Sequence, residues 1–247
     1  MRRRRLKRTL TTAVVFLFIY LSGTAGYALA NSTLFDITEI SVNGYSTVSR
    51  EEIVAYSGAR LGANILQLSS ASASSSIQTL PYIKEAVVNI SFPNKVAIHV
   101  TEREPIALLL VEDRYLIMDA TGRCLAEVSQ AVAGLQLLPV VLGNAYTVSL
   151  MPGEQSTDKG LGAALALIQR LDPFFMENIR EIDALTAEKL AVINRDGLRV
   201  LFGPPEDLER KLQNYEELLL KNAEKCNADT LNYVDLRYDT QITLNWK

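Results

Sequence analysis

Apolar and polar positions divide the chain into three zones. Between Arg8 and Asp36 no residue is charged, and Ala13-Val14-Val15-Phe16-Leu17-Phe18-Ile19 is apolar throughout. A membrane-crossing helix needs about 20 mostly apolar residues, so this zone predicts a transmembrane helix over residues 9–30. Six cations and no acid precede it, in residues 1–8. Such a tail stays cytoplasmic, which places the rest of the chain outside. Ala28-Leu29-Ala30 also has the A-x-A form of a signal cleavage site. The residues alone leave an anchor and a cleaved leader both open, and either exports the chain beyond Ala30.

The second zone runs from Leu34 to Glu104. Phe35 to Val42 alternates at the period of a half-buried strand, and Asn43-Gly44 ends it as a turn. Ser49-Arg50-Glu51-Glu52 reads as a capped helix start, with Gly58 as its stop. The Ser/Ala run Ser69 to Ser76 reads either as a flexible linker or as a short helix with Ala71, Ile77 and Leu80 on one face and Pro81 as a stop. The helix reading is preferred. Ile83 to Phe92 and Val96 to Glu102 are two alternating strands about the turn Pro93-Asn94-Lys95, a hairpin. The order is strand, helix, helix, strand, strand.

Arg103-Glu104-Pro105 breaks the pattern and opens the third zone. Strands are predicted at Ala107–Glu112, Tyr115–Asp119, Leu137–Gly143, Ile179–Asp183, Leu190–Asn194, Leu198–Phe202, Leu231–Leu236 and Gln241–Trp246. One helix begins at Asp158 or Lys159 and ends at Asp172-Pro173; a longer one covers Glu206 to Ala228 with the stripe Leu208, Leu212, Tyr215, Leu218 and Leu219. The zone reads as α+β with mostly antiparallel neighbours.

Charge changes this picture in one respect. The formal net charge is −3, but residues 1–8 hold six of the 25 Lys+Arg and none of the 28 Asp+Glu, so the remainder carries 19 − 28 = −9. An acidic exported portion argues against nucleic-acid binding. Cys124 and Cys226 are too few for a disulfide framework; buried or free thiols are the preferred reading, with a single bridge as the alternative. The sequons at Asn31 and Asn89 fall beside the membrane zone and inside a strand, so neither is persuasive.

Catalytic chemistry finds little support. His99 is the only histidine, and Glu102 at i+3 on the same strand points to the other face, so the two do not form a metal site. No phosphate-cradling Gly loop and no G-x-S-x-G elbow occur. No cofactor is implied. An exported hydrolase with carboxylates assembled by folding has no local motif behind it. The remaining source of function is a surface, and exposed strand edges accept partner strands. Tyr233, Tyr238 and Trp246, with Arg237, mark the C-terminal strand pair, since aromatics and Arg are enriched at interface hot spots; packing of these aromatics on the long helix is the competing reading.

The order of these segments resembles the bacterial cell division family FtsQ/DivIB. The resemblance rests on Ile37-Thr38-Glu39-Ile40-Ser41-Val42-Asn43-Gly44, Leu80-Pro81-Tyr82-Ile83-Lys84-Glu85-Ala86, Phe92-Pro93-Asn94-Lys95 and Val100-Thr101-Glu102-Arg103-Glu104-Pro105. It continues with Leu138-Pro139-Val140-Val141, the helix entry near Lys211-Leu212, and Tyr233-Val234-Asp235-Leu236-Arg237-Tyr238. It implies a cytoplasmic tail (1–8), a single transmembrane helix (9–30), a POTRA domain (34–104) and a β-domain (105–247). It also implies a non-catalytic divisome scaffold, retained in the cytoplasmic membrane and found at the septum. Its implied partners are of the FtsB/DivIC and FtsL type, joined by strand addition at the last β-domain strand. The implied contact residues are Arg237, Tyr238, Thr240, Ile242 and Trp246, with Arg237 facing a partner carboxylate. A secreted or periplasmic POTRA module that chaperones or transports polypeptides is the alternative.

Overall fold

The computed structural model describes residues 2–134, 138–142, 149–222, 226–238 and 242–247, with the side chains of 2–13, 173–174 and 221–222 excepted. The chain forms two compact units, Met1–Glu102 and Arg103–Lys247.

The first unit begins with helix α1 (Arg2–Ala30). From Val14 to Leu21 it presents large apolar side chains to the outside, among them Phe16 and Phe18 at 71% exposure each. Among the described residues no helix is long and apolar enough to cross a membrane. The described side chains of α1 start at Val14, so they cover less than the about 20 residues that a span needs.

A three-stranded sheet follows, in the order β1 (Glu39–Asn43), β3 (Lys95–Glu102), β2 (Ile83–Ser91). β1 runs parallel to β3, and β2 is antiparallel to it. The strand expected from Phe35 starts later, at Glu39, because the segment before it bonds to a loop: Ile37 N–H donates to Ala63 C=O and Gly62 N–H to Ile37 C=O, each at 2.8 Å. Helices α2 (Arg50–Ser57) and α3 (Ser70–Ile77) cover one face. Ser49 Oγ caps α2 by accepting Glu52 N–H at 3.2 Å, and Gly58 ends it in the left-handed region at φ 72°. Ser69 Oγ likewise accepts Ser72 N–H, so the Ser/Ala run is helical. Its buried face is Ala73 and Ile77 followed by Leu80, whereas Ala71 is exposed. Small side chains on α3 let it lie close to β2. The core is almost wholly aliphatic, with Ile53, Ile65, Ile77 and Ile98 fully buried.

The second unit is built on a nine-stranded mixed sheet. Its strands are β4 (Pro105–Val111), β5 (Arg114–Asp119), β6 (Cys124–Val128), β7 (Val140–Leu142), β8 (Ile179–Asp183), β9 (Leu190–Asn194), β10 (Arg199–Gly203), β11 (Leu231–Asp235) and β12 (Thr243–Trp246). The order is β12-β11-β10-β9-β8-β7-β4-β5-β6. Five neighbouring pairs are antiparallel, while β4–β7, β7–β8 and β10–β11 are parallel. β6 gave no sequence signal, because Cys124-Leu125-Ala126-Glu127-Val128 is short and follows a turn. Of the strand expected over Leu137–Gly143, Val140–Leu142 is observed, and residues 137 and 143 lie outside the described residues.

Among the described residues four α-helices belong to this unit: α4 (Gln130–Ala133), α5 (Lys159–Ile168), α6 (Pro173–Asn178) and α7 (Leu208–Asn222). Asp158 caps α5, its Oδ1 accepting Leu161 N–H at 2.7 Å. Pro173 does not merely stop a helix; it opens α6, a position where proline's missing N–H costs nothing. α7 is shorter than its apolar pattern suggested. Asp207 sits in the left-handed region at φ 54°, so helical geometry starts at Leu208 and leaves Glu209 as the only acid in the first turn. Its stripe Leu208, Leu212, Tyr215 and Leu218 is buried with α5 in one core. Cys124 and Cys226 are free and buried in that core, so the alternative of a bridge is not realised.

Candidate functional site

Strand edges carry unpaired backbone groups, and natural proteins cover those that must not be used. Helix side chains reach each edge of the first sheet. On the β2 side, Ser74 Oγ accepts Val88 N–H at 3.1 Å and Gln78 Nε2 donates to Ala86 C=O at 3.4 Å. On the β1 side, Arg50 Nη2 donates to Ile40 C=O at 2.7 Å. In the second sheet the β6 rim is met by the loop at 153–156. Cys124 N–H donates to Glu154 C=O at 2.9 Å, Gly153 N–H to Cys124 C=O at 2.7 Å, and Ser156 N–H to Gly122 C=O at 2.9 Å. β12 stands at the opposite rim with one strand neighbour, β11.

The β11–β12 pair is fixed from both faces. Leu244 lies opposite Val234 and packs against the core. Asn245 lies opposite Tyr233; Asn232 Nδ2 donates to Asn245 Oδ1 at 2.7 Å and to Trp246 C=O at 3.2 Å. These asparagines hold the register of a short strand where apolar burial is slight. Sequence reasoning passed over them because single asparagines in a strand carry no motif.

Arg237 and Tyr238 follow β11 after Leu236. The Arg237 guanidinium is bound within the chain: Nε donates to Asp235 Oδ1 at 2.9 Å and Nη2 to Asp235 Oδ2 at 2.7 Å. Asp235 is buried, and the guanidinium holds its carboxyl below the usual range. Arg237 Nε and Nη2 are thus engaged within the chain, just past the end of β11. Gly203, at φ 67°, makes room for its stem, since a Cβ at Gly203 would come 2.9 Å from Arg237 Cγ. The D-x-R spacing was the signal that could have revealed this pair.

Tyr238 is 66% exposed, and its ring centre lies 5.8 Å from the Arg237 Cζ. Ile242 is 36% exposed and Trp246 53%. Thr240 lies outside the described residues. The expected aromatic cluster is spread out. Asp235 faces Thr243 while Leu231 faces Trp246, so at about 3.3 Å per residue Trp246 is four β11 positions from the end that bears Arg237 and Tyr238.

A cleft of about 800 Å³ also lies in this unit, lined in part by Phe175, Asn194, Tyr215, Leu219 and Cys226. Two of its polar groups are held in their neutral forms. Burial pushes the Tyr215 hydroxyl up to about 12, and Asn194 Nδ2 donates to it at 2.9 Å. Burial also raises the Cys226 thiol, which disfavours the reactive thiolate. Among the described residues no group of His, Cys, Asp and Glu is arranged to hold a metal ion. His99 is exposed on the open face of the first sheet, between Asn43 and Val87.

Comparison with known proteins bears on this arrangement. A family model described as the POTRA domain of FtsQ type matches residues 35–103, and one described as the C-terminal domain of cell division protein FtsQ/DivIB matches residues 107–237. The chain belongs to the FtsQ/DivIB cell division family. The first unit is accordingly the POTRA part, and the nine-stranded unit the β-domain. Cell division protein FtsQ of Syntrophotalea carbinolica is 26% identical over 95% of this chain and 82% of its own length. FtsQ of Corynebacterium glutamicum is 21% identical over 83% and 87%, and DivIB of Clostridium botulinum 24% over 94% and 90%. The solved extracytoplasmic domain of DivIB from Geobacillus stearothermophilus covers 50% of this chain and 97% of its own, at 15% identity and a TM-score of 0.34, too low to bear on the fold.

Proposed function

We propose that this FtsQ/DivIB member is a non-catalytic, membrane-anchored scaffold of the division machinery, and that the β12 rim is where it takes up a partner. Residues 9–30 anchor it in the cytoplasmic membrane, with residues 1–8 inside and residues 31–247 outside, at the septum. The uncharged run between Arg8 and Asp36 and the outward apolar side chains of α1 support the anchor. A partner of the FtsB/DivIC or FtsL type adds a strand along β12, main-chain bonds giving affinity and alternate side chains specificity. Tyr238, Ile242 and Trp246 supply exposed apolar area, and Thr240 belongs to the same stretch. Arg237 positions the segment rather than reaching the partner. The observation that carries this reading is the contrast between edges: Arg50, Ser74 and Gln78 bond to those of the POTRA sheet, while among the described strands β12 has a neighbour on one side only.

The test is binding of the full chain, reconstituted in membrane discs, to partner ectodomains. Tyr238→Ala combined with Trp246→Ala is expected to weaken it by more than about 1 kcal/mol, the threshold of an interface hot residue. Affinity equal to that of the unmodified chain would remove the proposed rim. The alternative, a secreted POTRA module, predicts a mature N-terminus after Ala30, which N-terminal sequencing reads directly.

A further inference from the structure

The POTRA unit has an apolar end, and that end is tied to the helix that precedes it. Asn64 Nδ2 donates to the Ala30 C=O, the last residue of α1, at 2.6 Å, while its Oδ1 accepts Leu66 N–H at 2.9 Å. Asp36 and Asn64 form an isolated backbone bridge. Ile37 then bonds to Gly62 and Ala63, and Thr38 N–H donates to Asn94 C=O at 2.9 Å in the β2–β3 turn. Three loops thus gather where α1 ends: residues 31–38, 60–66 and 92–94.

Each of these loops carries a large apolar side chain turned outward: Leu34 at 51%, Leu61 at 68% and Leu66 at 47%, and Phe92 at 65% exposure. A chain spans at most about 3.5 Å per residue, so Leu34, four residues past Ala30, lies within about 14 Å of the helix end. The charge pattern agrees. Between Glu52 and Glu85 no acid occurs, and the loop's one charged residue is Arg60. Of the nearby acids, Glu39 is paired with Lys95 at 2.7 Å and Asp36 is half-buried. In an exported portion with an excess of acid, an apolar, acid-poor end is out of character for a surface that faces only water.

We propose that this end rests in the interfacial layer of the phospholipid bilayer that α1 enters. Leu34, Leu61, Leu66 and Phe92 sink into the boundary between headgroups and acyl chains, and Arg60 lies at the level of the lipid phosphates. Burial of such side chains in the interface is favourable in proportion to the apolar area removed from water, and aromatics favour that layer. Asn64 fixes the stance by holding the loop to the last turn of α1. The inference rests on reading residues 9–30 as an anchor.

The experiment uses the full chain in liposomes with Trp246→Phe, so that an introduced tryptophan is the only one. Leu61→Trp and Leu66→Trp are compared with Thr101→Trp, an exposed position six strand residues from Lys95. Lipids brominated high in the acyl chain quench a tryptophan they touch. The expected result is quenching of the Leu61 and Leu66 probes several-fold above that of the Thr101 probe, reduced by Asn64→Ala. Chain that resists carbonate extraction yet shows equal quenching at all three positions overturns the inference and spares the anchor. Chain released by carbonate overturns both. A blue-shifted Leu61 probe without quenching, the mark of a protein covering the loop, also overturns it.

Discussion

Arg237 grips the carboxylate of Asp235, two residues earlier, through two guanidinium nitrogens at 2.7–3.1 Å, and its backbone N–H adds a third donor at 3.0 Å. Asp235 ends β11 and faces Thr243, the first residue of β12. The pair thus fixes the chain where it leaves β11.

Arg237→Ala is expected to destabilise the β-domain by about 1–3 kcal/mol, the cost of leaving a buried acceptor without its charged partner. Urea unfolding reads this directly. Arg237→Glu sets a second carboxylate against Asp235 and loses more. A binding loss in either variant therefore reports turn geometry, whereas Tyr238→Ala leaves the turn intact and reports contact. Equal stability of Arg237→Ala and the unmodified chain would sink this role.

Acid should weaken the fold through three carboxylates. Glu102 is desolvated, which alone would raise its value, but backbone N–H donors at Ser46, Val48 and Thr47 prevail and lower it. Asp119 shows the same balance: burial is opposed by Arg123 N–H, Thr121 and Arg103. Asp235 is lowered chiefly by Arg237. Folded-state values below the unfolded ones, about 3.9 for Asp and 4.3 for Glu, mean stability that is full above those values and lost as pH falls through the folded ones. The urea midpoint should hold between about pH 7 and 5 as far as these groups are concerned and drop below about pH 4. Glu102→Gln should shrink that drop.

Ser74→Ala with Gln78→Ala uncovers Val88 N–H and Ala86 C=O on the β2 edge. Exposed edges template pairing with other chains. The expected outcome is concentration-dependent association on sizing chromatography with the monomer fold retained by circular dichroism. A double variant that stays monomeric across the concentration range would show that this cover is dispensable.

Both thiols should be silent in the folded chain. Burial pushes Cys124 up to about 11 and raises Cys226 as well. A thiol reagent at neutral pH is expected to label neither at an appreciable rate, and both at once in denaturant. Fast labelling of one in the native state would indicate local opening of its part of the core.

Periodicity made most of the strands and both helices of the POTRA unit legible, because alternation in β3 puts Val96, Ile98 and Val100 on one buried face and the Ser49 and Gly58 caps are local. The same logic failed where the backbone leaves the regular period. Asp207 at positive φ shortens α7, and the hydrogen bonds of Ile37 to a distant loop delay β1. Parallel pairing of β10 with β11 joins segments separated by α7, which no local pattern encodes. At the candidate rim the exposed aromatics were legible, but the Arg237–Asp235 pair and the Asn232–Asn245 contact depend on which strand lies beside which.

The sequence position of β12 sets a temporal order. It comes after every other strand of its sheet along the chain, and it is the outermost one on its side. Domains fold as units, the N-terminal one first, during synthesis at about 5–20 residues per second. Until residues 243–246 join the sheet, its rim on this side is β11, and the surface presented to an added strand is a different one. The β12 rim is thus complete only when the strands that support it are in place.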